Sequence, residues 1–240
     1  MPVWKMNNPF VRGLAWYRYK RLQDEFINAT QYFPFERKHE TIWSEFFSDF
    51  LTKVGSSVDG FFRKMLEDSR FDSFSHVQVL KNTKRKRDVN YFRDFFDPIY
   101  QLSSVEVNTA YGLTFYGACR PFAGFLDSKN SRIPVWWDAH NHVKHGWYVN
   151  IEEATLKNTI EALAGLFVLN ILHKESQEYL IKYQDAIKGE FLDSMPQIMI
   201  LKAFNASMIG IPKSLNQKCV AITPLFTHTF RIDPDSNVRV

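Results

Sequence analysis

Apolar residues recur at intervals of three and four positions along several stretches of this chain, which is the period of an α-helix with one buried face. In the first stretch, from 36 to about 70, the successive intervals are 4, 3, 4, 4, 3 and 4. The residues that set them are Trp43, Phe47, Phe50, Val54, Val58, Phe61 and Met65. This pattern predicts one long helix, in which Gly55-Ser56-Ser57 is a weak point that would kink or divide it.

Two shorter helices follow. Asp88 is a suitable N-cap for a helix over residues 89–100, and Pro98 should terminate or bend that helix. Pro134 suits the first turn of a third helix, which would carry the sequence VWWDAHNHVKHGW as far as Trp147.

The fourth helix has the clearest apolar period. Asn150 is predicted to cap it, with Glu153 as the capping-box partner. Its apolar positions then follow at intervals of 4, 3, 4 and 4: Leu156, Ile160, Leu163, Phe167 and Ile171. Because no Gly or Pro intervenes before Gly189, this helix could extend to Tyr183.

Two regions lose the helical period and favour short strands instead. Residues 103–132 and 215–232 are rich in β-branched and aromatic side chains, with Gly and Pro between them. The sequence therefore predicts a mainly α protein, an antiparallel helical bundle with a few short β-strands. Its expected parts are a basic, aromatic N-terminal segment at 1–35, the bundle at 36–190 and a C-terminal extension with short strands at 191–240.

Composition restricts the class of protein. The chain has 240 residues, a formal net charge of +4 and 45% hydrophobic residues, which excludes global disorder and collagen-like repeats. Cys119 and Cys219 form no CxxC pair, so a structural zinc site is not expected, and one disulfide or two reduced thiols remain open. No secretory signal or bilayer-length apolar run is visible, which predicts a cytoplasmic protein with no membrane partner.

Positive charge is concentrated rather than spread evenly. Lys84, Arg85, Lys86 and Arg87 stand together in a predicted loop. Such a cluster can bind a nucleic-acid backbone, and a solvated surface loop is the alternative interpretation. We take these four residues as candidate nucleic-acid contacts.

The segment 138–145 concentrates titratable groups, including three of the seven histidines. On a helix, Asn141 and His145 are i and i+4 neighbours, and so are His140 and Lys144. An imidazole titrates near pH ~6.5 and can exchange a proton at neutral pH, while an ammonium can stabilise a phosphate. His145 could therefore activate a 2′-hydroxyl or protonate a leaving oxygen, with Asn141, His140 and Lys144 in support.

Two other interpretations of this segment stay open. The histidines could simply be solvated on a surface helix. Alternatively, Asp138 and His142 are spaced as one metal-binding pair, although further ligands would have to come from elsewhere. No dinucleotide, Walker, GxSxG or HExxH motif is present, so the sequence predicts no cofactor.

Residues 134–145, with the Ala-rich segment 154–169 that follows, resemble the HEPN superfamily. The signature of that family is an Arg, a polar residue, a short spacer and a His near the start of a bundle helix. Asn141 matches the polar residue and His145 the histidine, whereas His140 stands where the family has Arg. Histidine is a poorer phosphate clamp than guanidinium.

The resemblance implies a function as well as a fold. It implies a helical bundle that forms a homodimer and acts on RNA, as a metal-independent endoribonuclease of a toxin or phage-defence system. The alternative is a non-catalytic HEPN-like module that binds RNA, a nucleotide or a protein partner, and the replacement of Arg by His140 favours this second class.

Overall fold

The computed structural model describes residues 14–111, 114–126, 133–173, 176, 186–188, 218–222 and 226–231. Within these ranges the chain is mainly helical, as predicted. The α-helices are α1 (Leu14–Ala29), α2 (Glu45–Met65), α3 (Ser75–Lys81), α4 (Val89–Tyr100), α5 (Val135–Asn150) and α6 (Leu156–Leu172). The strands are β1 (Val107–Tyr111), β2 (Thr114–Cys119), β3 (Ala186–Lys188), β4 (Lys218–Ile222) and β5 (Phe226–Arg231).

The chain divides into two compact units that are not contiguous in sequence. Unit 1 consists of Met1–Arg37, Val107–Cys119 and Phe167–Val240, and unit 2 of Lys38–Glu106 and Arg120–Leu166. The domain boundaries predicted at residues 35 and 190 stay predictions.

Unit 1 holds α1 and the strands. The buried residues of α1, which include Trp16, Tyr19 and Phe26, form one face of the helix. The rings of Trp16 and Tyr19 stack with centroids 4.9 Å apart, and Phe167 lies 5.6 Å from Tyr19. Phe226 of β5 in turn lies 5.6 Å from Phe167, so aromatic packing joins α1, the end of α6 and the sheet.

The described strands form one antiparallel sheet in the order β2-β1-β5-β4-β3. Strands β1 and β2 form a hairpin whose register shifts between Thr109 and Ala110. Gly117 in β2 has a φ of 113°, a conformation that favours glycine. The two regions predicted to hold short strands both contribute to this sheet.

Unit 2 contains α2 to α5 and the first part of α6. Its core is aromatic: Phe62 of α2 stacks on Phe92 of α4 at 4.9 Å and lies 6.2 Å from Trp137 of α5. Helix α4 begins at the predicted cap, where Asp88 Oδ1 accepts from the backbone N–H of Tyr91 at 3.1 Å. It ends two residues after Pro98, as predicted, with Gln101 in the left-handed conformation.

The long first helix is shorter than predicted. It begins at Glu45 because Ser44 caps it, with the Ser44 hydroxyl accepting from the backbone N–H of Phe47 at 3.2 Å. Residues 37–39 form only a short 3₁₀ turn. The predicted weak point does not divide the helix, which is continuous through Gly55.

The predicted start of the fourth helix is wrong. Helix α6 begins at Leu156, and its cap is Thr155, whose hydroxyl accepts from the backbone N–H of Asn158 at 3.2 Å. Asn150 is instead the last residue of α5 and donates from its side-chain amide to the carbonyl of His142 at 3.0 Å. The predicted extension toward Tyr183 lies outside the described residues.

The helices that the structure describes include none with the length and apolar character that a membrane span requires.

Candidate functional site

Helix α5 carries every residue of the predicted HEPN-like signature. Pro134 precedes it, and the helix is regular up to Gly146, whose φ of −150° and ψ of 52° interrupt it. One side of α5 packs into unit 2 through Trp136, Trp137 and Val143, all of which are buried. The packing of these three residues determines which of the titratable side chains reach the surface.

His140 faces the interior of unit 2. Its side chain is 2% exposed, and its ring lies directly on the backbone of Gly55 in α2, where a side chain would overlap it. The ring of Trp137 lies 6.3 Å away. His140 therefore packs in the interior and does not reach the solvent. The Arg that the HEPN superfamily has at this position would have to reach the solvent to bind phosphate.

The environment of His140 keeps its imidazole neutral. Burial lowers the pKa of His140 to about 4, and the positive charge of Lys144 acts in the same direction, while Asp59 opposes it. The backbone of Leu51 also opposes the shift and raises the pKa of His140. Its Nδ1 has no hydrogen-bond partner among the described residues.

The other three predicted site residues lie on the outer side of α5. Asn141 is half-buried, and Lys144 and His145 are exposed. Neither Lys144 nor His145 is paired with an acidic side chain in the described part of the chain. The structure thus places an amide, an ammonium and an imidazole on one stretch of helix and buries the ring of His140.

An arrangement around His142 was only partly visible in the sequence. The Nδ1 atom of His142 lies 2.9 and 3.0 Å from the two carboxylate oxygens of Glu153, and its Nε2 lies 3.7 Å from Asp138. The hydrogen bond and charge of Glu153 raise the pKa of His142, and Asp138 adds to the effect. The spacing of four indicated the Asp138 contact, but nothing in the linear sequence indicated Glu153.

The side chain of Glu153 therefore pairs with His142 and does not complete the predicted capping box with Asn150. Within the described part of the chain, no further ligands join Asp138 and His142, the pair that was interpreted as metal-binding. Among the described residues, no three or more His, Cys, Asp or Glu side chains are placed to hold a metal ion.

The basic cluster lies in the loop between α3 and α4, as predicted. Lys84, Arg85, Lys86 and Arg87 are all exposed. Arg85 forms an ion pair with Asp94 at 2.9 Å, and the carbonyl of Arg87 accepts from Arg63 at 3.2 Å. The loop is thereby tied to both α2 and α4, while its two lysines extend into solvent.

Comparisons with protein-family models, curated proteins and solved structures found no match to this chain, so its resemblance to the HEPN superfamily stays a prediction.

Proposed function

We propose that this chain is an HEPN-like helical-bundle protein that acts on RNA, and that it binds the phosphate backbone through the cations of unit 2. One observation carries the proposal: four consecutive cations, Lys84 to Arg87, are all exposed on a loop that two helices anchor. Anchoring a loop lowers the entropy that its backbone loses on binding. Phosphate contacts of this kind supply most of the non-specific affinity for nucleic acid.

The exposed side chains of α5 are further candidate contacts for RNA in this proposal. Lys144 offers an ammonium and His145 an imidazole at the next position along the chain. Both groups can contact phosphate oxygens, and the amide of Asn141 can orient either of them. In this proposal the chain forms a homodimer and belongs to a toxin or phage-defence system, as the family resemblance implies.

RNA cleavage is the second candidate function. His145 would take the proton of a 2′-hydroxyl, whose oxygen then bonds to the adjacent phosphorus while the bond to the 5′-oxygen breaks, and the protonated His145 would return that proton to the leaving 5′-oxygen. The products are a 2′,3′-cyclic phosphate and a 5′-hydroxyl, so neither water nor metal enters this step. The exposure of His145 supports this candidate, whereas the burial of His140 favours binding without cleavage.

One experiment tests both candidates. Labelled single-stranded RNA is incubated with the full chain in EDTA, and bound and cleaved RNA are measured by filter binding and denaturing gels. We expect Lys84→Gln/Lys86→Gln to weaken binding, and Lys38→Gln/Lys157→Gln, which removes the same charge from other exposed sites, to weaken it much less. Equal weakening by both pairs, or no binding by the wild type at low salt, would contradict the proposal.

The gels separate binding from catalysis. Cleavage that is lost in His145→Ala assigns proton transfer to His145. Binding without cleavage supports the non-catalytic class. Cleavage that needs a metal ion, and stops in EDTA, would contradict the metal-independent mechanism.

A further inference from the structure

Tyr148, near the end of α5, is an aromatic side chain that the fold leaves almost fully in solvent. It is 90% exposed, whereas Trp136 and Trp137 at the start of the same helix are 0% and 5% exposed. The two aromatic pairs of α5 therefore differ: the first builds the core of unit 2, and the second leaves a ring at the surface. The exposed face of this ring is available for a ligand to stack on.

The ring of Tyr148 contacts the ring of Trp147, and the backbone around it is ordered. Trp147 packs edge-on against it, with centroids 4.6 Å apart and an interplanar angle of 70°. The backbone leaves the regular helix at Gly146, and the amide of Asn150 fixes this last turn by donating to the carbonyl of His142. A ligand that stacks on Tyr148 therefore meets a surface that is already ordered, which lowers the entropic cost of binding.

The polar groups that precede Tyr148 along the chain suit a phosphate-bearing ligand. Lys144 and His145 precede it by four and three positions, and both are exposed. The nearest carboxylates along the chain are those of Glu152 and Glu153, and Glu153 is already bonded to His142. Proteins bind unpaired nucleotides by combining exposed aromatic rings with basic side chains.

We infer that Tyr148 stacks on an unpaired base of RNA, while Lys144 and His145 contact the phosphates on either side of that base. This inference rests on the proposed function and makes it more specific, because a ring can stack only on a base that is not inside a duplex. Stacking of this kind tolerates any base sequence, since every base has a π-face. The ligand class is therefore single-stranded RNA without strong sequence preference.

The test separates bases from phosphates. Binding of the full chain is measured by fluorescence anisotropy with a single-stranded oligoribonucleotide and with an abasic strand of equal length, which keeps the phosphates and lacks the bases. We expect Tyr148→Ala to weaken binding of the base-bearing strand by about 5- to 100-fold and to leave the abasic strand unchanged. Tyr148→Phe keeps the ring and should stay within about twofold of the wild type.

Tyr32 provides the matched control, because it is 84% exposed and lies in unit 1. Tyr32→Ala should bind both strands like the wild type. Equal loss on both strands in Tyr148→Ala, or equal binding of both strands by the wild type, would overturn the stacking role and leave RNA binding itself intact. Absence of any RNA binding by the wild type would overturn the proposed function and the stacking role together.

Sedimentation of the same variants tests whether the exposed ring of Tyr148 instead contacts a second copy of the chain. A Tyr148→Ala variant that loses a dimer present in the wild type, while it keeps the wild-type preference for the base-bearing strand, would make Tyr148 a protein contact and overturn the inference. An unchanged oligomeric state together with a lost preference for bases supports it.

Discussion

His140 and Glu161, two side chains of unit 2, have pKa values shifted in opposite directions by the same physical cause. Burial lowers the pKa of His140 to about 4 and raises the pKa of Glu161 to about 7. Lys157 opposes the shift of Glu161, and Glu40 adds to it. In both cases the interior favours the neutral form, because a buried charge loses its hydration.

The two pKa shifts give the free energy of unfolding opposite dependences on pH. Between pH 4 and 6.5 the unfolded chain binds a proton at His140 that the folded chain does not, so the stabilisation from His140 is full above 6.5 and is lost as the pH falls. Glu161 binds a proton more tightly in the folded state. Its stabilisation is full below 4.5 and is lost as the pH rises toward 7. In the wild type these two changes of the free energy of unfolding with pH offset each other.

A variant that lacks His140 or Glu161 should show the pH dependence of stability that comes from the remaining one of the two. We expect the free energy of unfolding of His140→Gln to fall as the pH rises from 4.5 to 7, and that of Glu161→Gln to rise, each by at most about 3 kcal/mol. Urea unfolding across this range measures both. The double variant is the control and should run parallel to the wild type, since His142 and all other groups contribute equally to every curve. Parallel curves for the two single variants would contradict the opposite shifts.

At the scale of elements, the contact of α2 with α5 depends on the absence of a side chain at Gly55. The ring of His140 occupies the space that a Cβ at Gly55 would need. Gly60 lies in the same helix, but nothing stands within 4 Å of a Cβ built there. Two glycines of one helix thus differ, because a side chain at Gly55 would meet His140 and one at Gly60 would meet open space.

Alanine at these two positions should have opposite effects. We expect Gly55→Ala to lower the free energy of unfolding by about 1–3 kcal/mol, because the ring of His140 must move within a packed interior. Gly60→Ala should raise it by about 0.5–1 kcal/mol, which is the gain in helix propensity alone. Urea denaturation measures both changes. A stabilised Gly55→Ala variant would show that the helices can separate there without cost.

The elements that sequence predicts well are those whose ends are set locally. Helix α4 is capped by Asp88 and ends just after Pro98. Both residues act on backbone groups within one helical turn, so the sequence nearby is enough to predict the two ends. The start of α6 required tertiary information. Asn150 and Thr155 are both suitable caps, and the choice of Thr155 accompanies bonds from the first helical N–H groups to the carbonyls of Ile42 and Glu40.

Prediction of the candidate site from sequence is limited in the same way, because it lacks the contacts between distant segments. Helical spacing places Asn141 and His145 on one stretch of α5, and both are accessible in the structure to differing degrees. Spacing cannot reveal that His140 is buried, because that depends on Gly55 in a distant part of the sequence. It also cannot reveal the contact of His142 with Glu153, which forms only when the chain turns between α5 and α6.

At the scale of the whole molecule, the loop between α3 and α4 concentrates positive charge. The net charge is only +4, with 30 basic and 26 acidic side chains, so most cations have acidic counterparts somewhere on the chain. The loop between α3 and α4 holds four consecutive cations, and Asp94 pairs with one of them, Arg85. Affinity for a polyanion should therefore depend on this loop more than on the net charge.

The salt dependence of RNA binding tests this distribution. For single strands, log K falls with log salt by about 0.7 for each phosphate that a cation neutralises. We expect Lys84→Gln/Lys86→Gln to reduce that slope by about 1.4, because both lysines face solvent. Arg85→Gln should reduce it by less than about 0.7, since Asp94 already neutralises part of its charge.

Filter binding of single-stranded RNA between low and moderate salt gives the slopes. Lys38→Gln/Lys157→Gln, which changes the net charge equally, is the control and should leave the slope near that of the wild type. If this control reduces the slope as much as the loop variant does, RNA responds to the overall charge of the protein. The loop would then have no special part in binding, because counterion release counts only the cations that lie against phosphates.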